Sequence, residues 1–190
     1  MHNVGPGHEG RGVTQPTGKL LRLALAVAAA AGLAACAADH APTVSQPAFY
    51  DNLAHAGAVL DAQAAAAMIS NYRTNNGLGS VALDPTLMKL AQDQAQAMAA
   101  RNKMDHDVAR PFKTRIASSG FDAKVAAENI SAGYHTMAEA FSGWRDSPHH
   151  RANMLLKGAT HMGIAAVYAP GTKYRVFWAL ILAAPDDRTT

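Results

Sequence analysis

Two apolar runs near the end of the chain, MGIAAVY at 162–168 and YRVFWALILAA at 174–184, constrain the fold most strongly. Both are rich in β-branched and aromatic residues, and the segment between them contains Pro170-Gly171, so they predict a β-hairpin. The second run lacks polar alternation, which is typical of a strand buried on both faces.

The segments before the hairpin have helical periodicity. Asp61 is a good N-cap for a helix with an apolar stripe that ends at the Asn-Asn-Gly of 75–77. Asp84-Pro85 repeats the start signal, and the helix it begins closes near Arg101.

The middle of the chain predicts a short helix around 111–118, an extended segment VAAENISAGY at 125–134, and a helix over 136–146. Glu128 is an unusual acid among the small apolar residues of the extended segment. Because helices come first and strands come last, the chain is expected to form an α+β domain.

The N-terminal part is a different kind of sequence. Lys19 and Arg22 lead into an apolar run of signal-peptide length, whose end, Leu33-Ala34-Ala35-Cys36, resembles a bacterial lipobox. Cys36 is the single cysteine of the chain. We therefore expect lipidation of Cys36, with 1–36 as signal peptide, 37–49 as tether and 50–190 as the domain.

This anchor predicts a location in the bacterial cell envelope, with the domain outside the cytoplasm and the membrane as a partner through the lipid. The residue after the cysteine is Ala37 and not an aspartate, which would favour keeping such a lipoprotein from the outer membrane. The outer membrane is therefore the expected location where the cell has one. The residues after Cys36 carry a net charge of only +1, which gives no electrostatic case for binding nucleic acid.

The stretch SPHHRANML at 147–155 begins with an N-cap, Ser147, and a first-turn Pro148, so two histidines fall in the first turn of a helix. Adjacent helical residues point about 100° apart, and His150 shares its face with an apolar anchor, which favours His150 over His149 for an inward position. Such a histidine is often a hydrogen-bonded packing residue.

His106 after the second helix, Glu128 in the extended segment and His150 at a helix start form a set that can converge. Two imidazoles and a carboxylate suit either a zinc site with open positions or general acid/base chemistry. Packing of each residue by itself is the third interpretation.

Four blocks of the sequence resemble, in order, those of the CAP superfamily of cysteine-rich secretory, antigen 5 and pathogenesis-related proteins, in its bacterial SCP-domain branch. The resemblance runs from about Ala65 to Ala183, and the blocks are NYRTNNGLGSVALDPTLMKLAQDQAQAMAARNKMDH, AENISAG, AFSGWRDSPHHRANML and THMGIAAVY. It implies a three-layer α-β-α sandwich with a central antiparallel sheet.

The resemblance also implies a cavity lined by two histidines and two acids. Matched position by position, these are His106, Glu128 and His150, while Ser147 stands where many eukaryotic members have the second glutamate, with Asp146 beside it. His149 stands at a position usually taken by glycine. Some members hold zinc or another divalent metal at these positions, and others bind sterols or fatty acids elsewhere.

The resulting functional expectation is an envelope lipoprotein that presents a CAP domain and binds a divalent metal or an apolar, lipid or sterol-like ligand. One alternative is a metal-assisted hydrolase or peptidase in which His106, Glu128 and His150 hold the metal or Glu128 acts as the base. Another is a structural or interaction protein of the envelope. A serine hydrolase is disfavoured because no serine lies in a Gly-x-Ser-x-Gly turn.

Overall fold

The structure is a computed structural model, and it describes residues 46–186. A short 3-10 helix at Ala48–Tyr50 precedes the regular elements. In chain order these are α1 Ala62–Asn75, β1 Ala82–Leu83, α2 Pro85–Arg101, α3 Phe112–Ala117, β2 Ala123–Ala132, α4 Met137–Asp146, α5 Pro148–Met154, β3 His161–Ala169 and β4 Arg175–Pro185.

The helix starts follow the capping signals of the sequence. The Asp61 side chain accepts a hydrogen bond from the Ala64 backbone N–H, and Asp84 accepts one from Leu87 with Pro85 in the first turn. Ser147 is the N-cap residue of α5, as predicted, but its side chain makes no capping hydrogen bond. At that helix start the geometry therefore depends on Pro148 and on tertiary contacts.

The sheet has the strand order β1-β3-β4-β2. The predicted hairpin is confirmed: β3 pairs antiparallel with β4 in a register that joins His161 to Ala183 and Ala169 to Arg175. Strand β2 pairs antiparallel with the other side of β4. The two-residue β1 adds a short parallel pair beside β3, which the sequence pattern did not indicate.

Strand β4 is buried on both faces, as the continuous apolar run predicted. Val176, Trp178, Leu180 and Leu182 belong to one hydrophobic cluster, with residues of α1, α4 and α5. The alternate residues of β4 belong to a second cluster, with residues of α2 and α3. The domain is therefore an α-β-α sandwich with the sheet in the middle layer, as expected.

Two close approaches fix the helices on this sheet. A Cβ atom at Gly163 of β3 would overlap the backbone of Leu87, so α2 lies directly on the strand. On the other face the buried Arg73 of α1 donates to the backbone carbonyls of Gly79, Met154, Leu156 and Ala159, at 2.9–3.0 Å. Arg73 thereby holds the chain that follows α5, and with it the helix that carries His150.

The compact unit begins at Gln46, and Phe49, which the sequence assigned to the tether, packs against the first cluster. The predicted signal peptide, the lipobox and Cys36 lie outside the described residues. Within 46–186, no helix is both long enough and apolar enough to cross a membrane.

Candidate functional site

His106 and Glu128 are in direct contact. The His106 Nδ1 atom lies 2.8 Å from Glu128 Oε1. The Glu128 side chain is only 1 % exposed, whereas that of His106 is 50 % exposed. Glu128 occupies the middle of β2, and His106 lies in the turn after α2, so the sheet supplies the buried acid and a loop supplies the accessible imidazole.

The third member of this contact is Arg115 of α3. One guanidinium nitrogen, Nη2, donates to both carboxylate oxygens of Glu128 at 2.9 and 2.8 Å, and to the His106 carbonyl at 3.0 Å. The Arg115 side chain is 5 % exposed, so this is a buried ion pair. Because a carboxylate paired with a guanidinium is an acceptor, we assign His106 Nδ1 as the donor of its hydrogen bond to Glu128.

His150 approaches the same strand from α5. Asn129 of β2 donates to the His150 carbonyl at 2.9 Å, and Asn153 of α5 donates to the Glu128 carbonyl at 3.0 Å and to the Asn129 side chain at 2.9 Å. These amides join α5 to β2, which is an edge strand of the sheet. His150 is half-buried, and His149 is exposed.

The two imidazoles have opposite tendencies to take up a proton. The hydrogen bond that His106 donates to Glu128 is the main reason that the pKa of His106 is raised above its ordinary value. Burial is the main reason that the pKa of His150 is lowered, and the charge of His106 lowers it further. The two rings are therefore near enough for the charge on one to act on the other.

The fourth position of the resemblance contributes no acid. Ser147 is the N-cap residue of α5, and Asp146 is exposed and pairs with its neighbour Arg145, whose Nε lies 2.9 Å from Asp146 Oδ1. Within 46–186 there is no group of three histidine, cysteine, aspartate or glutamate side chains arranged to hold a metal ion.

The residues present therefore do not fit a three-ligand metal centre in this arrangement. Glu128 has its oxygens engaged by Arg115 and His106, and its carboxylate orients His106 through Nδ1. The ring atom of His106 left for chemistry is Nε2. Nor does Glu128 fit the predicted role of base in this arrangement, because Arg115 and His106 engage its oxygens and its side chain is 1 % exposed.

Sequence reasoning missed Arg115, Asn129 and Asn153. An arginine in a six-residue helix is usually solvated, and nothing in the pattern around 111–118 distinguishes Arg115 from a surface residue. Asn129 follows Glu128 directly on a strand, so it points to the opposite face and towards α5. That alternation is the one signal by which it was predictable.

A second feature is a groove of about 560 Å³ between α1, α4 and the 3-10 helix. None of the residues that line it is His106, Arg115, Glu128 or His150. Tyr72 and Phe141 meet edge to face in it, with ring centroids 5.4 Å apart. The described residues that line it are Phe49, Ala64, Ala67, Met68, Asn71, Tyr72, Asn75, Phe141 and Arg145.

The sequence matches the model of the cysteine-rich secretory protein (CAP) family over residues 66–182, a range that begins within α1 and ends within β4. The chain belongs to this family. An uncharacterised protein of Bacillus subtilis (strain 168), YkwD, is a relative: it is 36 % identical over 98 residues, which are 50 % of this chain and 38 % of that protein. The chain thus spans well under half the length of this curated relative.

Solved structures of other bacterial proteins have a similar fold. An extracellular protein of Bacillus anthracis that contains an SCP domain has a TM-score of 0.56 at 22 % identity, over 64 % of this chain and 39 % of that one. An outer surface protein of Borrelia burgdorferi has a TM-score of 0.60 at 16 % identity, over 66 % of this chain and 93 % of that one. At these identities the likeness is one of fold.

Proposed function

We propose that this chain is a cell-envelope lipoprotein whose CAP domain binds the acyl chain of a fatty acid or related lipid carboxylate in the groove between α1 and α4. The envelope location is supported by the signal-peptide pattern and lipobox ending at Cys36. It is also supported by the two structural relatives, which are described as an extracellular and an outer surface protein.

The composition of the groove is the observation that carries the proposal. Its volume of about 560 Å³ lies within the range of small-molecule sites, and its walls are mostly aromatic and aliphatic. Phe49, Met68 and Phe141 are only partly buried, so they leave apolar surface that a ligand would remove from water. Burial of such surface contributes about 25 cal/mol per Å².

The charge at the groove favours a carboxylate head group. Arg145 is the one charged side chain among the described residues that line it. Its side chain is 46 % exposed and already pairs with Asp146, so it stands at the rim of the groove, where solvent also reaches. A guanidinium binds carboxylates through paired hydrogen bonds, which an alcohol head group cannot reproduce.

Displacement of a fluorescent fatty acid from the purified protein by dodecanoate tests this function. Ala67 is exposed on α1 and lines the groove, so Ala67→Trp fills the groove without disturbing the core. We expect this change to weaken dodecanoate binding by about tenfold or more. Ala100→Trp is the matched control, because Ala100 is an exposed helical alanine of α2 outside the groove.

The head group is tested with Arg145→Gln. We expect this variant to bind dodecanoate more weakly than the wild type and to bind dodecanol equally well. Failure of the wild-type protein to bind either compound contradicts the proposal. Equal binding by wild type and Ala67→Trp places the site elsewhere and contradicts it as well.

In this proposal the cluster of His106, Glu128, Arg115 and His150 serves mainly to hold the α2–α3 loop and α5 against β2. This corresponds to the structural alternative, applied to one part of the domain. The hydrolase alternative has no comparable support, since Glu128 lacks a free oxygen with which to activate water.

A further inference from the structure

The contacts of Glu128 account for both of its carboxylate oxygens. Oε1 receives His106 Nδ1 at 2.8 Å and Arg115 Nη2 at 2.9 Å, and Oε2 receives Arg115 Nη2 at 2.8 Å. The side chains of Glu128 and Arg115 are 1 % and 5 % exposed. A cation in contact with this carboxylate is thus already part of the protein.

Arg115 is fixed in this position by more than the ion pair. Its Nε donates to the Arg110 carbonyl at 3.1 Å, and its Nη2 also donates to the His106 carbonyl at 3.0 Å. The ring of Phe112 lies beside the guanidinium, with 5.2 Å from its centroid to Cζ. To move the guanidinium away from Glu128, the protein would have to break these contacts and leave the buried carboxylate with the hydrogen bond from His106 but without the guanidinium.

We infer that Arg115 takes the position on Glu128 that a metal ion would occupy, so that a divalent metal ligated by Glu128 cannot bind beside His106. A metal ion bound to Glu128 would lie beside the guanidinium, and the repulsion between like charges at low dielectric opposes its binding. An arginine cannot relieve this repulsion by losing its proton, because its pKa is too high.

Glu128 consequently acts on His106 as an orienting acceptor. The carboxylate holds the proton on Nδ1 and leaves Nε2 as the ring nitrogen that does not contact Glu128. A carboxylate in this position orients the histidine and is not a second ligand beside it. With Glu128 engaged and no acid at position 147, the predicted ligand set is reduced to the two imidazoles. The inference does not depend on what the groove between α1 and α4 binds.

Calorimetric titration of the full protein with zinc, followed in wild type and Glu128→Gln, tests the inference without altering Arg115. We expect the two proteins to give the same zinc affinity, because Glu128 is not a ligand. Loss of zinc binding in Glu128→Gln from a wild type that binds zinc would overturn the inference.

The reverse experiment removes the internal cation. Arg115→Met keeps an apolar chain of similar reach, frees Oε2 of Glu128 and leaves Oε1 with the hydrogen bond from His106 alone. We expect it to bind zinc at least about tenfold more tightly than the wild type, and we expect Arg115→Met/Glu128→Gln to lose that gain. Lys89→Met, which removes a cation from the exposed pair with Asp93, controls for the change in net charge.

A folded Arg115→Met protein with no gain in zinc affinity would contradict the inference, as would an equal gain in Lys89→Met. Circular dichroism establishes whether Arg115→Met is folded. If Arg115→Met is not folded, Arg115→Lys is the variant that retains the charge. In that case the comparison of zinc affinity between wild type and Glu128→Gln decides whether Glu128 is a ligand.

Discussion

Arg115 donates from one nitrogen, Nη2, to both carboxylate oxygens of Glu128, at 2.9 and 2.8 Å, inside the domain. This pair connects α3 to the edge strand β2, and through the His106 carbonyl it also holds the loop after α2. A buried ion pair of this kind is sensitive to the loss of one partner, since the other is left as an uncompensated charge.

Glu128→Gln is therefore expected to lower the free energy of unfolding by about 3–5 kcal/mol. Asp93→Asn is the matched control, because it breaks the Lys89–Asp93 pair, whose side chains are 76 % and 51 % exposed. That change should cost about 0.5 kcal/mol or less. Urea denaturation of the three proteins measures both values, and similar small losses for the two variants would contradict a buried pair.

His106 and His150 should take up their protons in a defined order as the pH falls. The hydrogen bond with Glu128 raises the pKa of His106, and burial lowers the pKa of His150. In an NMR titration of the ring C–H resonances, assigned with His106→Gln and His150→Gln, we expect His106 to take up its proton at a higher pH than His150. The opposite order would mean that Glu128 does not face His106 in solution.

These shifts act on stability in opposite directions. The raised pKa of His106 gives a contribution that is complete below the ordinary histidine pKa and is lost as the pH rises through the folded-state value. The lowered pKa of His150 gives one that is present above the ordinary pKa and is lost as the pH falls through the folded-state value. Relative to wild type, His106→Gln should lose more stability at pH 5 than at pH 8.

The close approach of α2 to the sheet gives a prediction for Gly163. A methyl group at this position would overlap the Leu87 backbone, which cannot move aside as a side chain can, so Gly163→Ala should destabilise the domain by about 1–3 kcal/mol or more. Gly171→Ala is the control, because a Cβ there has no atom within 4 Å. Thermal melts compare the two, and equal melting temperatures would show that α2 packs farther from β3.

The proposed anchor predicts the fate of Cys36→Ser. Without the thiol no acyl group can be attached, so the protein should leave the membrane fraction and should no longer incorporate labelled palmitate. Cell fractionation and labelling measure the two effects. Retention of the variant in the membrane fraction at the wild-type level would contradict lipidation of Cys36.

Much of the architecture was predictable from local signals. Asp61 and the Asp84-Pro85 pair mark two helix starts, and the uninterrupted apolar run of β4 indicates a strand covered on both faces. Strand β1 was not predictable, since two residues have no periodicity and pair only because β3 lies beside them. Such a strand depends on tertiary contacts.

The candidate sites show the same division. His106, Glu128 and His150 were selected as unusual polar residues, but their partners come from other elements: the role of Glu128 depends on Arg115, 13 positions earlier in the chain. Likewise the groove is formed where α1 meets α4, and each of those helices by itself shows only an ordinary apolar stripe. The chemistry of each residue could be predicted from the sequence. The contacts between residues of different helices and strands could be known only from the fold.

The most direct test of the proposed function is an amide NMR titration of the protein with dodecanoate. We expect the largest shift changes at Ala67, Met68, Tyr72 and Phe141, which line the groove, and little change at His106 and Glu128. Changes centred on His106 and Glu128, or no saturable change anywhere, would contradict acyl-chain binding between α1 and α4.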